Sequence, residues 1–369
     1  MKAFLHIGPP KTGTTSIQQS LNNFQSQEAI YATFKEVNRN FYAEGGNHSK
    51  VIRFIFDEGF FANFYKNVLK VDFQFANSLR VRAINILEEF LIQNNEKNII
   101  FSGEGLSLIN EKTLINIISF FEEKNCDLTV IYYYRDPIKR VKSAFQQKIK
   151  NHIFDPRNYF FSFRQPEVSD TLKIFTKYFS KDQIIVRNFD KNHLKNGCVV
   201  EDFCSLIGIN LPIESIIRDA NISMSEDAFK ILYVRMKELL RINNDQGRVF
   251  NRDKIHRNVM RIYKHSDKLE SSFFRVFSSA NKSHEVNYLS MKTNFDYSTP
   301  IDNKIEDKVI PNIKDFEIFD NYFSNLSSVD PTPLQNFLVS SGLKERDILS
   351  KNFQENILLI DSALYKKDS

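Results

Sequence analysis

Hydrophobic and polar positions along this chain follow two alternating periods. Short apolar runs occur at Phe4–Ile7, Asn98–Ser102, Leu128–Tyr134 and Gln183–Asn188, and each predicts a buried strand. Between them the apolar spacing turns helical. Ile17, Leu21 and Phe24 follow the first run, and a helix is expected from Val51. Ser78–Gln93 carries Val81, Ile84, Leu87, Phe90 and Leu91 on one face, and Glu111–Lys124 is also amphipathic. After the third run, Asp136 suits an N-cap and Pro137 the first helical position, and Ile138, Val141, Ala144, Phe145 and Ile149 point inward. A helix near Asp170–Phe179 and another over Val199–Ile207, stopped by Gly208, complete the series. Residues 25–75 have weak periodicity, with the clearest turn at Glu44–Ser49.

Strands alternating with helices imply an α/β fold: a parallel sheet with right-handed crossovers, flanked by helices. Ligands of such sheets sit beyond the carboxyl ends of the strands, where Gly8, Gly103 and Arg135 fall. After Met224 the alternation stops. Residues 225–285 read as helices, and Arg235–Lys268 holds ten Lys/Arg against four Asp/Glu. Pro300, Pro311, Pro331 and Pro333 punctuate loops and short helices beyond. The expected division is a core over residues 1–224 and a mostly helical part over 225–369, packed on the core and contributing to acceptor binding. Most of the basic segment reads as a solvated helix face.

The first candidate chemistry lies where the first strand ends. Gly8-Pro9-Pro10 cannot extend a strand, and Lys11-Thr12-Gly13-Thr14-Thr15-Ser16 leads into a helix. Backbone N–H groups at a helix start, together with a lysine and several hydroxyls, make an anion cradle of P-loop type. A Walker A loop places its lysine after the second glycine. Here Lys11 precedes Gly13 and Thr14 stands in the Walker position, which weakens an ATP-hydrolase reading. Arg135 and Ser143 form a second constellation, a guanidinium fork and a hydroxyl suited to a phosphate monoester.

His6–Gln18 resembles the 5′-phosphosulfate loop of sulfotransferases that use 3′-phosphoadenosine 5′-phosphosulfate (PAPS). Tyr132–Phe145 resembles their 3′-phosphate motif, with Arg135 and Ser143 at the matching positions. Ile99–Gly105, Ile184–Asp190, Val200–Phe203 and Asn221–Ser225 look like further segments of the bacterial and carbohydrate branch. The resemblance covers roughly residues 1–240 and implies a P-loop sulfotransferase core. Its product would be a sulfate ester on a carbohydrate or glycoconjugate hydroxyl, or less readily a sulfated amine. Two features depart from the cytosolic members. Ser16 replaces their adenine-stacking tryptophan, and Gly247-Arg248 is the one candidate for their C-terminal phosphate segment.

Transfer needs a base. Glu104, on a glycine-flanked turn past a strand end, is the first candidate, because partial desolvation there would raise its pKa. In heparan-type members the glutamate at the matching turn is the base. His48, in a Gly-Gly-Asn-His turn, is the second candidate, read as mobile and titratable. His6 lies inside a strand and reads as a hydrogen-bonded core residue. Lys11 would stabilise charge on the leaving oxygen. No metal is implied, because no His/Cys/Asp cluster has ligand spacing.

Bulk properties change little. A net charge of +5 fits anionic small ligands and is too weak to indicate nucleic acid. Cys126, Cys198 and Cys204 read as buried thiols of a reducing compartment. No signal peptide or spanning segment is legible, so the expectation is a cytoplasmic protein within reach of lipid-linked acceptors at the inner membrane. A P-loop kinase is the enzymatic alternative, though Mg²⁺ carboxylates and a Walker lysine are not identifiable. A nucleotide-binding protein without turnover is the other. Neither the acceptor nor the oligomeric state is written in the sequence.

Overall fold

The computed structural model describes residues 1–34, 46–151, 155–162, 168–218, 223–242, 252–270, 274, 282–295 and 313–366. In chain order the first elements are β1 (Lys2–His6), α1 (Thr14–Leu21), β2 (Ala29–Tyr31), α2 (Ser49–Phe56), α3 (Glu58–Asn63) and a short π-helix (Phe64–Leu69). Then come α4 (Phe73–Gln93), β3 (Asn98–Ser102), a 3₁₀ turn (Glu104–Leu108), α5 (Glu111–Glu123), β4 (Asp127–Tyr134), α6 (Pro137–Asn151) and α7 (Pro156–Ser162). α8 (Val168–Leu172), α9 (Phe175–Tyr178), β5 (Ile184–Asn188) and α10 (Val199–Leu206) follow. The remainder is helical: α11 (Glu226–Ile242), α12 (Arg252–Ile262), α13 (Lys282–Lys292), α14 (Ile313–Ser324), α15 (Thr332–Ser340), α16 (Glu345–Leu349) and α17 (Phe353–Lys366).

The chain forms two compact units, and they do not follow a single cut at residue 224. One holds Met1–Asp136, Pro166–Asn221 and Lys282–Ile305; the other holds Pro137–Gln165, Ile222–Asn281 and Glu306–Ser369.

The first unit is a parallel five-stranded sheet in the order β2-β3-β1-β4-β5. Its three inner strands, β3, β1 and β4, are buried on both faces and read as nearly unbroken apolar runs. Ala3, Leu5, Ile99, Phe101, Val130, Tyr132 and Tyr134 join one core with α2, α4 and α5. Phe4, Ile100, Ile131 and Tyr133 join the opposite core with α1 and α10. This two-residue alternation follows from the pleat. The helices sort by the direction of each crossover. From β1 the chain moves outward to the edge strand β2, and α1 lies on one face. Every later step to β5 runs the other way, so a right-handed connection puts α2, α4, α5, α8 and α9 on the other.

β2 was not expected within residues 25–75. It is only three residues long and is specified by pairing with β3, Tyr31 lying opposite Ile100. The helix expected over Asp170–Phe179 is instead the separate α8 and α9. On α4 the buried stripe is Ala76, Ala83, Leu87 and Leu91, while Val81 faces outward. Ile84 and Phe90 pack against the same core, so four of the five expected side chains lie on the inward face and only Val81 departs from it.

In the second unit α11 is the central helix, buried without a break from Ala228 to Met236. Phe323 packs against both Phe229 and Phe319, with ring centroids 4.6 and 4.7 Å away. One cation of the expected solvated basic face is not solvated, since Arg235 is fully buried, and a second, the part-exposed Lys237, is paired with Asp320 at 2.7 Å. Arg257, Arg261, Lys264 and Lys268 are exposed as expected. No helix among the described residues is long and apolar enough to cross a membrane.

Candidate functional site

The sheet order creates one crevice by necessity. The connection leaving β1 runs toward β2 and the one leaving β4 runs toward β5, so the carboxyl ends of these adjacent strands lie where the winding reverses. The Lys11 loop follows β1, and Arg135 follows β4.

Backbone hydrogen bonds fix the loop before it turns. Ile7 N–H donates to Ile131 O at 3.1 Å, Gly103 N–H to His6 O at 2.9 Å, and Tyr133 N–H to Gly8 O at 3.4 Å. Gly8 has φ of 89°, and a Cβ there would lie 2.9 Å from Glu104 Cα, so the turn bearing Glu104 passes directly over it. Thr12, fully buried, donates its hydroxyl to Pro9 O at 2.6 Å. Lys11 and Gly13 both take left-handed backbone, with φ of 72° and 76°. For a lysine that conformation costs about 1 kcal/mol, and such strain gathers at functional sites.

α1 then begins with Gly13 as N-cap, and no side chain among the described residues caps its first turn. Thr14 is 3 % exposed, and its hydroxyl meets no hydrogen-bond partner among the described residues. Ser16 is also buried, and Thr15 is exposed. An uncapped helix start beside an unsatisfied buried hydroxyl fits an anion supplied from outside.

Arg135 joins the two sequence motifs. Its guanidinium donates to Lys11 O and lies over the Phe189 ring, 5.4 Å from the centroid. A Cβ on Gly13 would meet Val199 at 2.6 Å and Phe189 at 3.0 Å, so α10 and the end of β5 close the far side of the loop. Behind them Asp202, almost fully buried, accepts from Tyr133 Oη at 3.0 Å, from Arg187 Nη2 at 2.8 Å and from Lys195 N–H at 3.1 Å. Loss of water pushes the Lys11 pKa down. Glu104 acts against that shift, and Arg135 adds to it. The three charges therefore share one local field.

Glu104 is half-buried and opens the 3₁₀ turn, whose backbone oxygen accepts from Ser107 Oγ at 2.6 Å. The flanking glycines serve the approach of α2. A Cβ on Gly103 would sit 2.6 Å from Ser49 Oγ and 2.7 Å from its backbone nitrogen, and Gly105 N–H donates to Ser49 Oγ at 2.9 Å. Because the backbone nitrogen is part of the clash, rotating the hydroxyl does not relieve it. Gly103→Ala should therefore destabilise the protein by about 1–3 kcal/mol, read as a lower urea midpoint at unchanged slope.

His48 does not have the mobility expected of it. It is buried between Tyr31, Phe34 and Phe101, with ring centroids at 4.7, 5.6 and 5.8 Å. Ser102 N–H donates to its Nδ1 at 2.9 Å, and its Nε2 donates to Ala32 O at 2.9 Å. Burial pushes its pKa down to about 4, so the ring is neutral with both nitrogens engaged. It braces the end of β3 and has no nitrogen left to take a proton from a substrate. His6 lies in the core as expected, sharing a hydrogen bond with Ser102 Oγ at 2.8 Å. Gln18 Nε2 donates to the same hydroxyl at 3.3 Å. Ser102, Gln18, Phe189 and Asp202 fall inside the segments that carry the resemblance, but no sequence signal singles them out as site residues. Ser102 stands out only as a polar residue ending an apolar strand.

Ser143 belongs to the second unit, half-buried on α6. Gly247-Arg248 lies outside the described residues. Compared with known protein families, with curated proteins and with solved structures, the chain finds no match in any of the three.

Proposed function

We propose that the chain is a PAPS-dependent sulfotransferase of P-loop type that sulfates a carbohydrate or glycoconjugate hydroxyl. The observation that carries the reading is the join between the two motifs. Arg135 donates to the backbone of the loop holding Lys11, at the reversal point of the sheet and beside an uncapped helix start. Lys11 before Gly13, without a Walker lysine, favours a sulfated nucleotide over ATP.

In this reading the first-turn N–H groups of α1 and the hydroxyls of Thr14, Thr15 and Ser16 hold the 5′-phosphosulfate, whereas Thr12, expected among these donors, is buried with its one hydroxyl hydrogen given to Pro9 O and shapes the loop instead. Arg135 takes the 3′-phosphate. A guanidinium has five donor hydrogens, so bonding to Lys11 O does not exhaust it. The nucleotide supplies the activated sulfuryl group. Glu104 takes the proton of the attacking acceptor hydroxyl as the new oxygen–sulfur bond forms and the bond to the bridging phosphate oxygen breaks. Lys11 steadies the charge arriving on that oxygen. No metal is required, because the charge is met by the lysine, the arginine and the helix start.

Calorimetry with adenosine 3′,5′-bisphosphate and with ADP, each with and without Mg²⁺, tests the proposal. The bisphosphate should bind without metal and more tightly than ADP, and Arg135→Ala should weaken it by about 100-fold. Preference for Mg·ADP would favour a kinase. Binding of neither would leave a degenerate site.

A further inference from the structure

The corner between the π-helix and α4 carries an apolar tip that nothing in the nucleotide site uses. Val68, Phe73 and Phe75 are 59 %, 57 % and 51 % exposed, within eight residues of chain. All three flank the same turn of the chain. Lys70 takes left-handed backbone with φ of 54° and turns the chain, and Asp72 caps α4 by accepting from Phe75 N–H at 2.8 Å. The Phe73 ring packs on Tyr65 at 6.1 Å and Phe61 at 6.2 Å, which fixes it outward on a rigid base. Exposed large side chains scattered singly need no explanation, but a fixed aromatic and aliphatic trio does.

Cations outnumber acids around the tip. Lys66, Lys70 and Arg82 are exposed, and the Lys66 ammonium lies 5.7 Å from the Tyr65 centroid. The nearby acids are engaged: Asp72 in the helix cap, and Glu58 with Arg80 at 2.8 Å. The trio exposes on the order of 300 Å² of side chain, well short of the roughly 800 Å² per partner of a stable protein interface. A bilayer accepts so small a wedge without a matching surface, and acidic headgroups complement the cations.

We propose that this corner is a membrane-surface anchor, inserting Val68, Phe73 and Phe75 among the headgroups of an anionic phospholipid bilayer. The proposal is independent of the nucleotide chemistry. Co-sedimentation of the full chain with phosphatidylcholine vesicles, with and without about 30 % phosphatidylglycerol, is the test. The anionic vesicles should bind at least about tenfold better, with loss at high salt. The double variant Phe73→Ser/Phe75→Ser should lose that binding about tenfold while keeping the wild-type melting temperature. Lys66→Glu/Lys70→Glu should abolish the preference for anionic vesicles. Ile213→Ser, which changes another exposed apolar side chain, should have no effect. Equal binding to both vesicle types, or binding retained by the phenylalanine variant, would overturn the proposal. So would failure to bind vesicles together with a solution dimer, seen by light scattering, that the phenylalanine variant dissolves.

Discussion

Glu104→Gln should lower sulfuryl transfer by about 10²–10⁴-fold while leaving adenosine 3′,5′-bisphosphate binding intact. The two readouts separate because the carboxylate has two effects. As a base it acts only while the acceptor proton is moving, so its loss falls on kcat. As a charge it sits in the field of Lys11 at all times. Removing that negative charge leaves a more positive cradle, so nucleotide affinity should hold or tighten by a few-fold. A purely electrostatic role predicts the reverse pattern, tighter nucleotide with turnover preserved. Unchanged turnover would therefore remove Glu104 as the base. His48 would not inherit the role, since both its nitrogens are committed to backbone groups.

Acid should unfold this protein through two histidines before its carboxylates titrate. Burial holds the His6 pKa at about 3 and the His48 pKa at about 4, against 6.5 for a free histidine. Both are thus depressed in the folded state. Above pH 6.5 neither state carries the proton and the two rings leave stability untouched. Below it the unfolded chain takes up two protons that the folded chain refuses, and stability falls until the folded values are reached. Between pH 7.5 and pH 5 each ring should cost about 2 kcal/mol, roughly 4 kcal/mol together. Urea titrations over this range would measure it. His48→Gln, whatever its own penalty, should remove about half of the pH slope, and a variant keeping the full slope would show that the histidines are not responsible. The effect reaches the site directly. A charged His48 could no longer accept from Ser102 N–H, and Ser102 ends the strand that delivers Glu104.

What the sequence revealed was local. Strand, glycine, lysine, hydroxyls and helix are consecutive between Phe4 and Leu21, and Arg135 follows an apolar strand whose character needs no tertiary context. The rest depended on distant partners. β2 exists because Tyr31 and its neighbours find β3. The turn before His48 looked open, and only Tyr31, Phe34 and Phe101 together make it a core position. Gly103 looked like part of a flexible acidic turn, whereas its extended backbone makes room for Ser49. Asp202 resembles any first-turn acid of a helix until Tyr133 and Arg187 arrive from two strands.

The threading of the chain between its units bears on synthesis. The five strands of the sheet have been synthesised once Asn188 is added, but the sheet-bearing unit is not yet complete. Glu285 must still accept from Val168 N–H at 3.0 Å, and Phe295 must still cover Tyr134 at 5.5 Å. A nascent chain is therefore obliged to hold β4 with an uncovered tyrosine while about a hundred more residues are translated, at roughly 5–20 residues per second. A shortened protein ending near residue 224 would never leave that state. Recombinant expression of residues 1–224 alone should yield aggregates, whereas the whole chain completes the sheet-bearing unit late.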